Sequence, residues 1–159
     1  MSEIAELLER FRRGPELLAV ATTGASNPEL DFSPGEGQWS ARMIAAHLTD
    51  SEYVGAMRLR QVIAETHPTL IAWDEKAWAA GLNYGARKIS AIVESFRRVR
   101  GDNYDLLTGL PQEAFTRTGN HTERGAITLH DLLRIYAEHA EGHARQIMTA
   151  RQAYKNRAS

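Results

Sequence analysis

The sequence predicts an all-α protein built as a bundle of four long helices. Three observations carry that expectation. Apolar residues recur at three- and four-residue spacing through four long stretches, the period of a helix with one buried face. The period-two alternation of a half-buried strand is missing, so no strand is expected. The connections between the helical stretches are long enough to serve as crossovers, as a bundle with non-sequential neighbours requires. At 159 residues, 43% hydrophobic and 25% charged, the chain has the composition of an ordinary globular protein. It reads as one domain over residues 1–159, long enough to bury roughly two-thirds of its unfolded surface.

Each element follows from its own signals. Ile4, Leu7, Leu8 and Phe11 make an apolar stripe, which Gly14-Pro15 interrupts. Pro15 lacks a backbone N–H but fits the first turn of a helix, so the helix resumes from Pro15 to about Thr23. Gly24 to Gln38, rich in Gly, Ser, Asn and Pro, is a loop. Trp39-Ser40 opens the second long helix, with Ser40 as N-cap, and it runs to about Glu65. Its apolar positions are Ile44, Leu48, Val54, Leu59, Val62 and Ile63; His47 falls between Ile44 and Val54 and points inward. Thr66-His67-Pro68 stops it. Thr69 to Gly85 is irregular, with a short helix around Asp74 to Ala80. The third helix spans about Lys88 to Leu110, where Pro111 ends it, and Gln112 to Ile127 is a polar connection. Thr128 and Asp131 then cap a last helix from Leu129 to Tyr154.

Composition excludes several functions. A net charge of −1 gives no electrostatic reason to expect nucleic acid or an anionic membrane as partner. There are no cysteines, which removes disulfides, a cysteine nucleophile and thiolate ligands and leaves histidine, carboxylate or water for any transition metal. The start Met-Ser-Glu-Ile-Ala-Glu has no signal-peptide character, and no apolar stretch is long enough to span a bilayer. A cytoplasmic protein is the default expectation.

The chemistry is concentrated on the last helix. With Leu132 at zero on a helical wheel, His139 falls at about −20° and His143 at about +20°. Leu132, Tyr136 and Ile147 flank them, while Arg134, Glu138, Glu141 and Arg145 lie on the far side. Two imidazoles a turn apart on a core face usually share a partner, most commonly a divalent metal. His47 would supply a third ligand from a facing helix, and three protein ligands leave the open position of a catalytic site. A second reading stays open at this point: three separate core histidines, because H-x3-H also arises by chance. The run His139-Ala-Glu141-Gly-His143 lacks the glutamate directly after the first histidine, so zincin-type peptidase chemistry is disfavoured.

Asp50 and Tyr136 are the candidate catalytic residues. Asp50, one turn after His47, either orients an imidazole, accepts a proton or is a solvated carboxylate. Tyr136 either donates to a bound ligand or is a core tyrosine, and Gln146 sits at the edge of the same face. Trp39, Trp73 and Trp78 either wall a substrate pocket or seal the bundle end. His121 in a loop and His130 on the polar face read as surface residues, and His67 carries no assignment. Arg97-Arg98-Val99-Arg100 reads as a solvated helix face.

Three segments together resemble a family. They are Trp39-Ser40-Ala-Arg-Met-Ile-Ala-Ala-His47-Leu-Thr-Asp50-Ser-Glu52, Trp73-Asp74-Glu75-Lys-Ala-Trp78, and Thr128-Leu-His-Asp131-Leu-Leu with His139-Ala-Glu-Gly-His143-Ala-Arg-Gln146-Ile. In this order they are similar to the DinB-like superfamily over nearly the whole chain. The resemblance implies an up-up-down-down four-helix bundle, with a divalent metal on His47, His139 and His143, zinc first and nickel second. It also implies a homodimer. Relatives include S-transferases that use the low-molecular-weight thiols bacillithiol or mycothiol, and a maleylpyruvate isomerase. The expected function is therefore a metal-dependent enzyme acting on a small molecule, by thiol transfer or a related hydrolysis. The alternative is a non-catalytic stress-response protein that binds metal and a small ligand. Gly142, a poor residue in mid-helix, departs from the family pattern and is expected to mark the close approach of another helix or of substrate.

Overall fold

The computed structural model describes residues 2–157. Side-chain caps start most of its helices. Ser2 caps α1 (Glu3–Arg12) by accepting from the Ala5 N–H, and α2 (Gly14–Thr22) follows after one residue with Pro15 in its first turn. Ser26 caps the short α3 (Asn27–Asp31), and Ser40 caps α4 (Ala41–Ala64) through the Met43 N–H. Asp74 caps α5 (Glu75–Gly81), and a 3-10 turn over Tyr84–Ala86 leads into α6 (Ile89–Thr108). A capping box of Thr128 and Asp131 starts α7 (Leu129–Asn156). Each such cap is worth about 1 kcal/mol.

The connections hold three short strands that the sequence did not lead us to expect. β1 (Thr69–Leu70) pairs parallel with β2 (Thr118–His121), which pairs antiparallel with β3 (Gly125–Thr128). Strands of two and four residues are too short to show an alternation. β1 and β2 also lie far apart in sequence, so no local turn announces their pairing.

The four long arms are α1–α2, α4, α6 and α7. Their directions follow from side-chain pairs. Glu3 meets His130, Arg10 meets Glu141 and Arg151 reaches the Ala21 carbonyl, so the first arm and α7 run parallel. Thr49 meets the Ile92 carbonyl, Glu52 meets Arg100 and Arg60 meets Asn103, so α4 and α6 are parallel to each other. His47 lies against His143 while Arg58 reaches Tyr136, so α4 runs against α7. The four-helix bundle is as expected, but its order is up-down-down-up, which replaces the up-up-down-down implied by the resemblance. The parallel neighbours α4 and α6 need a connection that returns along the bundle, and the segment with β1, α5 and the 3-10 turn supplies it.

Two apolar clusters fill the interior. Leu18, Leu30, Ile44, Leu48, Phe96 and Ile147 belong to one, and Leu7, Leu59, Val62, Leu107, Leu132 and Leu133 to the other. Each of these side chains contributes about 1.5–3 kcal/mol by leaving water.

A buried ion pair holds several arms together. Arg100, only 1% exposed, donates from Nε and Nη2 to the Glu52 carboxylate at 2.8 and 2.7 Å. Its Nη1 donates to the Phe11 carbonyl at 2.9 Å and its Nη2 to the Tyr136 carbonyl at 3.1 Å. Asn103 gives Glu52 a further hydrogen bond. The reading of a solvated Arg97–Arg100 face is thus corrected at one position. Arg97 and Arg98 are exposed beside Glu94, whereas Arg100 lies one turn after Phe96 and shares its buried face. Among the described residues no helix is long and apolar enough to cross a membrane.

Candidate metal centre

α4 and α7 bring the three inward histidines to one point. The Nε2 atoms of His47 and His139 lie 3.3 Å apart, and those of His139 and His143 2.9 Å apart. One nitrogen from each residue can be chosen so that all lie within 4.8 Å of one another. Two nitrogens bound tetrahedrally to zinc at ~2.0–2.1 Å stand ~3.3 Å apart, so the donor set fits an ion of that size. His143 Nδ1–H donates to Gln146 Oε1 at 2.8 Å, which leaves the Nε2 lone pair facing its neighbours. Nitrogen lone pairs at such distances repel unless a proton or a cation lies between them.

Burial keeps these rings neutral, the form that ligates a metal. It pushes His47 down to about 4, with the His143 charge adding to the effect. It pushes His139 down to about 3, with His143 and then His47 adding to it. His143 is also lowered, chiefly by burial.

The tryptophans stand at the site. Trp73 stacks on the His47 ring, with centroids 5.6 Å apart and planes 16° apart. Trp39 packs on His47 at 5.1 Å, and Trp78 packs on Trp73 at 4.6 Å. Of the two expectations for these residues, a wall around the histidines is what Trp39 and Trp73 provide.

Asp50 is buried, which removes its solvated-carboxylate reading. Its Oδ1 accepts from Arg87 Nη1 at 2.7 Å, while its Oδ2 has no partner. Burial and the neighbouring Asp50 hold the Tyr84 phenol above its usual value. Asp50 is therefore engaged by Arg87, although its charge reaches His47 and favours a protonated ring there. Tyr136 is buried, sits edge-on to His139 at 6.5 Å, and accepts from Arg58 Nη1 at 3.2 Å.

Other expectations change. Gly142 marks no close approach, since a Cβ there would meet nothing within 4 Å. The tight contact is at Gly55, where a Cβ would stand 2.7 Å from the Tyr136 ring. His121 is buried rather than on the surface, because the β2–β3 turn folds over it and its Nδ1 accepts from the Glu123 and Arg124 N–H groups. His130 is half-buried beside Glu3, and His67 bonds Thr118. Sequence reasoning also missed a cleft of ≈ 100 Å³ whose lining includes Arg58, His121, Arg124 and Tyr136. One signal was available: Arg58 lies only about 20° from His47 on the α4 wheel.

Comparison with known proteins identifies the family of this fold. The family described as the DinB superfamily matches residues 10–147. A protein of Oceanobacillus iheyensis, provisionally named a metal-dependent hydrolase, is 30% identical over 144 residues, which cover 91% of this chain and 83% of that protein. YfiT of Bacillus subtilis, given the same provisional name, is 27% identical over 134 residues, 84% of this chain and 75% of its own. The solved structure of YfiT, described as a four-helix bundle of unusual topology, superposes with a TM-score of 0.88. That match covers 94% of this chain and 87% of the other at 24% identity, a likeness of fold.

Proposed function

The chain belongs to the DinB superfamily, and on that premise we propose that it is a metal-dependent enzyme acting on a small molecule. One observation carries the proposal: a buried imidazole, His47, and two half-buried ones, His139 and His143, converge their Nε2 atoms at 2.9 and 3.3 Å. His47, His139 and His143 hold a divalent ion. Zinc is the first choice because it tolerates an all-histidine site with an open position, and nickel is second. Such an ion supplies Lewis acidity, lowering the pKa of a thiol or a water placed at the open position.

The chain's own residues do the rest. Gln146 fixes the tautomer of His143. Trp39 and Trp73 cover His47 and keep bulk water from the ligand nitrogens. The Asp50 charge favours a cation beside His47, and the Tyr136 hydroxyl hydrogen-bonds the substrate. The reaction is transfer of a low-molecular-weight thiol, supported by the family resemblance; an ion on the three histidines would lower the thiol pKa so that its proton passes to solvent. Hydrolysis is the second reading, favoured by the provisional names of the relatives.

The test begins with metal analysis of the purified protein. Turnover of generic electrophiles is then measured with a panel of thiols, and of esters without thiol. A metal-dependent rate with a thiol supports transfer, and one with esters alone supports hydrolysis. No rate above background in either assay would leave a binding protein.

A further inference from the structure

A group of hydrogen-bond donors beside the histidines has no function so far. The small cleft has Trp73 and Tyr136 in its lining, the residues that also stack on His47 and sit edge-on to His139. Three more side chains enter it: Arg58 from α4, His121 from the end of β2, and Arg124 from the β2–β3 turn.

Two of them, Arg58 and His121, are held there by hydrogen bonds. Arg58 is anchored by its Nη2, which donates to the Ile71 carbonyl at 2.8 Å, and by its Nη1 on the Tyr136 oxygen; its Nε is buried without a partner. Because the Tyr136 oxygen accepts from Arg58, its own proton is left to donate elsewhere. The His121 Nδ1 accepts from two backbone N–H groups of the turn, so the ring proton sits on Nε2. Burial and, after it, the charges of Arg58 and Arg124 hold that ring below its usual value, and all three residues line the same cleft. Glu75 and Glu123 also line the cleft. Among the described residues neither glutamate forms an ion pair with either arginine. Four donors, two of them cationic, thus face a space that fits a headgroup and not a whole substrate.

We propose that this cleft is an anion subsite, in which Arg58, His121, Arg124 and the Tyr136 hydroxyl hold a carboxylate or phosphate-type group of the substrate. Its role as a handle, setting the reacting atom against His47, His139 and His143, rests on the metal-dependent reading above. The anion binding itself does not. Two planar guanidiniums suit an oxyanion because their donors match its oxygens in pairs. Glu75 and Glu123 offset the two cations without pairing with them, so a bound oxyanion would be their first direct anionic partner in the cleft.

The test is a titration of the full chain as purified, with metal content measured on the same sample. The probes are propanoate, methylphosphonate and the neutral isostere propanamide, at constant ionic strength. Binding is read from tryptophan fluorescence, since Trp73 lines the cleft, and folding of every variant is checked by circular dichroism. Saturable binding of an anion is expected, at least tenfold tighter than propanamide, and the tighter of the two anions identifies a carboxylate or a phosphonate source. Arg124→Gln, on an exposed turn where substitution leaves the bundle intact, should weaken it about tenfold, as should Arg58→Gln. Equal affinity for propanoate and propanamide would overturn the proposal. So would anion binding that both variants leave unchanged, since the anion would then sit on the metal. A metal-free protein that still binds the anion through Arg58 and Arg124 would sink the metal reading while sustaining this one.

Discussion

Depth sets the chemistry of individual residues here. His47 and His139 are pushed down to about 4 and about 3 from the ordinary 6.5. Between those values the unfolded chain binds more protons than the folded one. The metal-free protein should therefore keep its full histidine contribution above 6.5 and lose stability as pH falls from about 6.5 to about 3. Denaturant midpoints recorded across that window check the sign, and a midpoint that rose on acidification would refute the burial argument. The same inward placement predicts that His47→Ala, His139→Ala and His143→Ala each lose the ion, while His121→Ala and His130→Ala keep it. Metal content of the five variants after zinc and nickel supplementation decides the matter. The three histidines were legible because helical spacing alone puts them on a core face. His121 and Arg124 were not, because a turn and a strand pairing carry them to the cleft and neither leaves a period in the sequence. Arg100 was misread for a related reason: a run of basic residues looks like a solvated face until one member proves to lie above Phe96 and opposite Glu52.

Among the helices, the contact between α4 and α7 is the one that places the site, and Gly55 sets its closeness. Gly55→Ala would put a methyl group 2.7 Å from the Tyr136 ring. The helices would have to separate or the ring turn, at a cost of about 1–3 kcal/mol. Gly142→Ala adds its methyl to open space and should raise stability by up to about 1 kcal/mol, the helix-propensity gain of alanine over glycine. Thermal unfolding of the two variants should move in opposite directions, and a stabilising Gly55→Ala would show that the helices do not pack this closely. Propensity drew notice to the wrong glycine because it registers what a residue costs its own helix and is blind to the neighbour across the interface. The long helices themselves were readable from caps and periods, Ser40 and the Thr128–Asp131 box among them.

Across the whole molecule, the buried pair of Arg100 and Glu52 shows how the arms depend on one another. Arg100→Met leaves the Glu52 charge buried against Asn103 alone and should cost about 3–5 kcal/mol. The double change Arg100→Met with Glu52→Leu removes both charges and should cost less than either single one, as denaturant unfolding of the three variants would show. A double variant less stable than both singles would mean that the pair contributes more than the removal of its partners' desolvation. The bundle was legible at this scale and the direction of its arms was not, because apolar periodicity is the same whichever way a helix runs. Only long-range pairs such as Arg10 with Glu141 carry that information. The Arg100 guanidinium touches the backbone of α1 at Phe11, the backbone of α7 at Tyr136 and a side chain of α4. No one of these arms can swing away without stranding a cation in apolar surroundings. Amide protons deep in α1, α4, α6 and α7 therefore exchange with solvent through a shared opening event, as one foldon with the free energy of global unfolding, while the outer turns fray on their own.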